Sequence, residues 1–317
     1  MTKYIIKRIL WLIPVALGVA ILIFTILHFT PGDPAVMILG SSATVEDRLA
    51  LRTQMGLEDP YIVQLLRFLK QTFLEFNLGS SYFTNKPVMD EILLRFPNTF
   101  VLAFGSMLLS CLIGIPLGIT AAVNQNKLGD RISMIIALAG ISMPAFWVGL
   151  LLVLIFSLNL GWLPPSGVGH WTNFILPVFA TSLGGIATLA RLVRSSMLDV
   201  IRADYVTTAR AKGVTKNRSV WSEALPNALI PVITQVGTSF GKTLGGTIVI
   251  ETVFGIPGIG NYMLTAVNNR DYPIVQGSVV FLALTFSVIV LLVDLIYAYV
   301  DPRIKAQYAK KNGGKAA

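Results

Sequence analysis

Histidine and cysteine are almost missing from this chain, and charge of either sign is scarce. Cys111 is the one cysteine, so no internal disulfide can form, and within an apolar run it reads as a packed thiol. The two histidines, His28 and His170, stand far apart, and neither has a second ligand type at metal-site spacing. His28 lies at the edge of an apolar run rather than inside it, which is a poor place for an intramembrane Ser-His pair. Paired carboxylates are missing too, so no catalytic constellation, metal site or cofactor is expected. A nucleotide loop is excluded as well. The segment from Gly237 to Thr243 has three residues between its glycines where a phosphate-binding loop needs four, and Val236 stands where the first glycine should be. With 13% charged and 54% hydrophobic residues, the chain is an integral membrane protein and not a large soluble core.

What is abundant is long apolar sequence. Six runs approach the roughly 20 residues that cross a bilayer: 9–29, 99–123, 132–158, 174–190, 229–250 and 278–300. The fourth is short and carries Pro177 and Gly184-Gly185. No run alternates as a barrel strand does, so an all-α polytopic fold with six transmembrane helices is expected. The first run is too long for a signal-peptide core and lacks a small-residue cleavage site, so it reads as a retained span. Cations mark one face. Lys3, Lys7 and Arg8 precede the first run, and Lys127 and Arg131 fall between the second and third. Arg191, Arg194, Arg202, Arg210, Lys212, Lys216 and Arg218 lie between the fourth and fifth, and Arg303, Lys305, Lys310, Lys311 and Lys315 follow the sixth. Between the third and fourth runs there is no lysine or arginine, and between the fifth and sixth only Arg270. The long first connection is mixed, with more acids than bases, so both termini are expected to be cytoplasmic. A net charge of +9 is then explained by cytoplasmic segments and calls for no nucleic acid.

The basic stretch 191–227 interrupts the apolar second half. Asp204 to Lys212 contains no proline and ends at Gly213, which suits the left-handed residue closing a short helix. Leu225-Pro226 permits a second helix to start. On a soluble protein this pattern could bind DNA; between membrane runs it reads as a docking face for a cytoplasmic partner. The long connection 30–98 contains Ile62, Leu65, Leu66, Leu69 and Phe73 at helical spacing. That helix either lies over the spans or forms a small packed subdomain with no binding role. Trp162 and Trp171 suit interfacial anchors.

In the fifth run, Gly237, Gly241 and Gly245 recur four residues apart, as close helix packing or a translocation path would use. Lys242 in the same run costs about 2.5–3.5 kcal/mol on insertion scales, so it faces a water-filled path or snorkels to the headgroups. Glu251 is read as an interfacial carboxylate at the outer end of that helix, and Asp294 as a partner for a neighbouring span.

The stretch from Asp204 to Pro226 resembles the EAA loop of bacterial ABC importer permeases. Thr207-Thr208-Ala209 occupies the Glu-Ala-Ala positions, Gly213 follows, and Glu223-Ala224-Leu225-Pro226 replaces Ile-x-Leu-Pro. Ala209, Gly213, Leu225 and Pro226 keep the pattern. An ordered set of segments is similar to the dipeptide/oligopeptide/nickel branch of that family. It comprises Thr30 to Ala35, Met55-Gly56-Leu57, Leu78 to Ser81, Gly114 to Gly118, Ser142-Met143-Pro144-Ala145-Phe146-Trp147, Glu251 to Gly260 and Arg270 to Pro273.

The resemblance implies a type I importer permease in the bacterial cytoplasmic membrane, not an enzyme in itself. Its partners would be a second homologous permease, two cytoplasmic ATP-binding subunits and an extracytoplasmic solute-binding protein. Asp204, Tyr205, Thr208, Ala209, Lys212, Gly213, Leu225 and Pro226 would couple to the ATPases. Pro144, Gly237, Gly241, Lys242, Gly245 and Glu251 would serve the pathway or its packing. The expected division is a cytoplasmic 1–8, a first span 9–29, an extracytoplasmic 30–98, a five-helix core 99–305 containing the coupling loop 191–227, and a disordered basic tail 306–317. The competing reading is an autonomous ion-coupled carrier using Lys242 and Asp294.

Overall fold

The computed structural model describes residues 2–40 and 42–300, so the expected tail 306–317 lies outside the described residues. Among these residues the chain is helical, with a single isolated bridge between Ser80 and Pro87. Helix α1 (Thr2–Phe29) is followed by three short helices, α2 (Pro34–Leu39), α3 (Val45–Gln54) and α4 (Tyr61–Phe73). The long α5 (Val88–Val123) precedes α6 (Leu128–Ser142) and α7 (Ala145–Leu152), which continues as a π-helix over Val153–Asn159. Then come α8 (Ile175–Ile201), α9 (Asp204–Ala211), α10 (Lys216–Arg218), α11 (Leu225–Ala228), α12 (Ile230–Gly246), α13 (Ile248–Val253), α14 (Ile259–Asn269) and α15 (Tyr272–Val300).

Among the described residues, four helices are long and apolar enough to cross a membrane: Arg8–Phe29, Val88–Val123, Trp171–Ile201 and Tyr272–Ile296. A fifth arises if α6 and Ala145–Asn159, bent by 98° at their junction, count as one span. The break falls at Met143-Pro144, where Met143 is extended; proline disfavours helical geometry in the residue before it. The run at 229–250 divides instead, its main piece α12 being 17 residues long. The short fourth run gains length, because its helix continues to Ile201 and carries Arg191 and Arg194 with it.

Packing centres on α5 against α8. A Cβ on Gly114 would stand 2.7 Å from the Ile186 carbonyl oxygen, and one on Gly118 would stand 2.6 Å from that of Ala190. Bare backbone here lets the helices touch, which suits a medium where apolar side chains gain little by leaving lipid. The Ser110 hydroxyl adds a bond across the seam to the Ser182 carbonyl, 3.1 Å. At one end of α5, Val88 and Ile92 pack with Leu27, Ile259 and Ile274; at the other, Ile119 and Ala122 pack with Val193, Met197 and Val206. The two clusters are about 40 Å apart along the helix. In the α12–α15 seam, Cβ atoms on Gly237 and Gly241 would clash with Val293 and Phe286, whereas Gly245 has open space. Arg8 of α1 forms an ion pair with Asp294 of α15, as the lone acid in that run suggested.

The expected amphipathic helix forms as α4, with Leu65, Leu69 and Phe73 of the expected stripe partly buried and Arg67, Lys70 and Gln71 exposed. Tyr61 and Phe68 stack with Phe24 of α1 at centroid distances of 5.7 and 5.6 Å, and the Gln64 amide donates to the carbonyls of Leu57 and Asp59. Ile62 and Leu66 therefore point outward.

Substituting Gly118→Ala should lower the thermal midpoint of the detergent-solubilised protein, with a loss of about 1–3 kcal/mol from overpacking. Gly129→Ala, where a Cβ meets nothing within 4 Å, is the control and should leave the midpoint unchanged.

Candidate functional site

Helix α9 stands almost free of the bundle. Asp204 opens it, where a carboxylate favours the positive end of the helix dipole, and Val206 is its one buried residue. Val206, 2% exposed, inserts beside Met197, Val220 and Ala224. Asp204, Tyr205, Thr208 and Lys212 are exposed and Ala209 is partly buried. Gly213 has φ +92, as expected of a left-handed terminator. Its N–H donates to the Arg210 carbonyl at 3.0 Å, and the Val214 N–H reaches back to Ala209 at 3.2 Å. This paired closure is the Schellman motif. A Cβ at Gly213 would meet nothing within 4 Å, so the need for glycine is conformational.

The connection to α12 corrects one expectation. Leu225-Pro226 does not begin the helical path; winding starts at Lys216 and passes through a π turn over Ser219–Ala224. Pro226 is then the second residue of α11. A proline ring crowds the carbonyl four residues back and offers no N–H, and a wide turn directly ahead relieves that crowding. Trp221, 57% exposed, lies on this π turn; helical periodicity gave no sign of it because a π turn shifts the register.

On α12 the buried face carries Val232, Gly237, Gly241 and Leu244. Thr234, Lys242, Gly245 and Gly246 are exposed, so the row of glycines is buried at Gly237 and Gly241 and open at Gly245. Pro144 at the bend is exposed as well. The structure thus brings Lys242 and Gly245 together and sends Gly237 and Gly241 into the α15 seam.

Glu251 requires a second correction. It is fully buried, with no exposed surface, and not interfacial. The Thr99 and Thr247 hydroxyls donate to Oε1 at 2.7 and 2.9 Å, and the Asn261 N–H donates to Oε2 at 2.8 Å. The Ile259 N–H in turn donates to Thr99 Oγ1 at 2.9 Å. Gly258 and Gly260 leave room for the carboxylate, since a Cβ on either would lie within 3 Å of it. Glu251 therefore staples α5, α13 and α14 together. Linear sequence places Thr99 far away, although the flanking glycines were a signal of close approach.

At the end remote from α9, similar ties hold the 30–98 connection. Arg270, with φ +58, fills the space beside Gly32 and donates to the Pro31 carbonyl at 2.5 Å. Buried Asp271 accepts from the Ser81 hydroxyl at 2.6 Å and the Tyr82 N–H at 3.2 Å. Burial pushes the Asp271 carboxyl above its ordinary range, and these bonds oppose the shift. A cavity of about 630 Å³ opens between Phe24, Tyr61, Gln71, Tyr272 and Gln276. Among the described residues, no group of three or more His, Cys, Asp or Glu side chains is arranged to hold a metal ion.

Residues 114–306 match the family described as binding-protein-dependent transport system inner membrane component, and residues 1–103 match the N-terminal counterpart of that description. The chain is 43% identical over 305 residues to the glutathione transport system permease protein GsiC of Salmonella paratyphi A, spanning 96% of this chain and 99% of that one. The protein of the same name from Escherichia coli strain K12 is 42% identical over the same spans. Among solved structures, two inward-facing crystal forms of the MetNI methionine ABC transporter superpose with TM-scores of 0.55 and 0.57 at 18% and 19% identity. Each covers 68% of this chain and 99% of the other, a likeness of fold alone.

Replacing Glu251 with Leu should leave the Asn261 N–H and two hydroxyls without their acceptor, at about 1–3 kcal/mol for each group stranded. A marked drop in thermal midpoint is expected, with Glu251→Gln milder; equal midpoints for Leu and wild type would refute the staple.

Proposed function

The chain belongs to the binding-protein-dependent transport system inner membrane component family, and from that premise we propose that it forms half of the pathway of a peptide-type ABC importer. It is a multi-pass inner-membrane permease subunit. In this reading α9 is the coupling helix, seated in a cleft of a cytoplasmic ATP-binding subunit. The observation that carries it is the isolation of α9: one buried side chain, a Schellman closure at Gly213 and exposure at every other position but the partly buried Ala209. Such an element is poorly placed to stabilise its own fold and well placed to dock.

The proposed assembly contains a second homologous permease, two ATP-binding subunits and an extracytoplasmic solute-binding protein. Six spans are proposed, with the bent pair α6–α7 as the third and α12–α13 as the fifth. Both termini lie on the cytoplasmic side with α9, and 30–98 lies outside. The solute is a short peptide or a peptide-like molecule, a reading supported by the glutathione transport named for the relatives. Lys242 and the open backbone at Gly245 face the water-filled path between the two permeases, which spares the ammonium from lipid. The autonomous-carrier reading loses support because Asp294 is engaged by Arg8.

Co-reconstitution with the partner subunits tests both assignments, using radiolabelled glutathione and a dipeptide as probes. Gly213→Asp should abolish solute-stimulated ATP hydrolysis, since its φ of +92 disfavours any side chain; normal stimulation would sink the coupling role. Lys242→Met should change the uptake rate several-fold without altering subunit stoichiometry, and an unchanged rate would remove Lys242 from the path.

A further inference from the structure

Asp130 is 3% exposed although it lies in the first turn of α6. Arg194 of α8 grips it with two parallel bonds, Nε to Oδ1 at 2.6 Å and Nη2 to Oδ2 at 2.7 Å. The Asn126 N–H adds a third at 2.9 Å. A guanidinium and a carboxylate joined in this way fix angle as well as distance. Further along α8, Arg202 Nη2 donates to Gln125 Oε1 at 2.8 Å, and the next residue leads into α9. The turn between α5 and α6 is itself tight, with Asn126 at φ +64 and the Lys127 N–H bonded to the Asn124 carbonyl at 3.0 Å. It is thus pinned at two points to the part of α8 that carries α9. From Asp130 onward, α6 runs antiparallel to α8, and Gly140 rests on the Leu183 carbonyl. Beyond Ser142 the chain breaks and turns by 98°.

We propose that Asp130 and Arg194, with Gln125 and Arg202 beside them, form a positioning clamp that makes α6 move with α9 and delivers that motion to the bend at Met143-Pro144. The inference rests on the coupling role given to α9. Val206 alone is a slender attachment; without the clamp, α9 and the end of α8 could swing while α6 stayed behind. The ion pair resists this, because separating it leaves a buried carboxylate without its cation. A side chain that merely filled space would supply no such directional link.

The test is the amount of solute taken up per ATP hydrolysed by the full reconstituted complex, with radiolabelled glutathione and a dipeptide as probes. Asp130→Asn and Arg194→Lys are compared with wild type and with Gly213→Asp. Lysine keeps the charge but not the fork, so Arg194→Lys should be the milder change. Both clamp variants should assemble and hydrolyse ATP, while solute per ATP falls about tenfold in Asp130→Asn and by a smaller factor in Arg194→Lys. An unchanged ratio overturns the clamp. So does a proportional loss of uptake and hydrolysis with reduced assembly, which marks a purely structural pair. Should Asp130→Asn fail to assemble, Arg194→Lys decides by the same ratio. Normal coupling in Gly213→Asp would sink the role of α9 itself, whereas its loss there beside a normal ratio in the clamp variants sinks the clamp alone.

Discussion

The arrangement depends on backbone-to-backbone approach between α5 and α8. In water, two helices are driven together by apolar side chains; in lipid that drive is small, and closeness must come from shape and from bonds across the seam. Gly114, Gly118 and Ser110 supply both. Once this pair is fixed, α5 links two remote clusters. One seats the 30–98 connection and the first and last helices; the other seats α9 and the π turn. The pair is therefore the frame across which anything done at one end must be felt at the other.

A second layer of order comes from polar side chains that bridge distant segments. Glu251, Asp271, Asp130 and Arg270 each satisfy backbone or side-chain groups from segments far away in sequence. Each acidic group accepts several donors, which is what a carboxylate needs when burial removes its water. These bonds specify geometry more than they add net stability. They set how α13 and α14 fold back on α5, how 80–82 meets the start of α15, and how the α5–α6 turn meets α8.

Much of the local structure was legible in the residues. Gly213 forecast a left-handed closure because few other residues tolerate that backbone, and the Gly237–Gly241 spacing forecast a close seam because helical geometry stacks positions four apart. Apolar runs marked most long helices for the same reason of period and length. The misreadings have a common physical origin in tertiary partners. Glu251 looked interfacial because Thr99 is remote in sequence and the fold-back that brings Asn261 N–H onto it is tertiary. Ile62 and Leu66 at one edge of the α4 stripe are exposed, because Tyr61 and Phe68 meet Phe24 of α1 and turn the packed face towards them. The 98° turn at Met143-Pro144 was hidden because hydropathy reads straight through a proline. Of the candidate site, α9 and its closure were readable from sequence, while the π turn bearing Trp221 required coordinates.

The near-isolation of α9 has an energetic corollary for assembly. Because its last turn is already closed by Gly213, the helix would meet the partner proposed for it with its own backbone preorganised. Little conformational entropy within the helix would then be lost on docking, so a modest contact area would suffice for the proposed coupling.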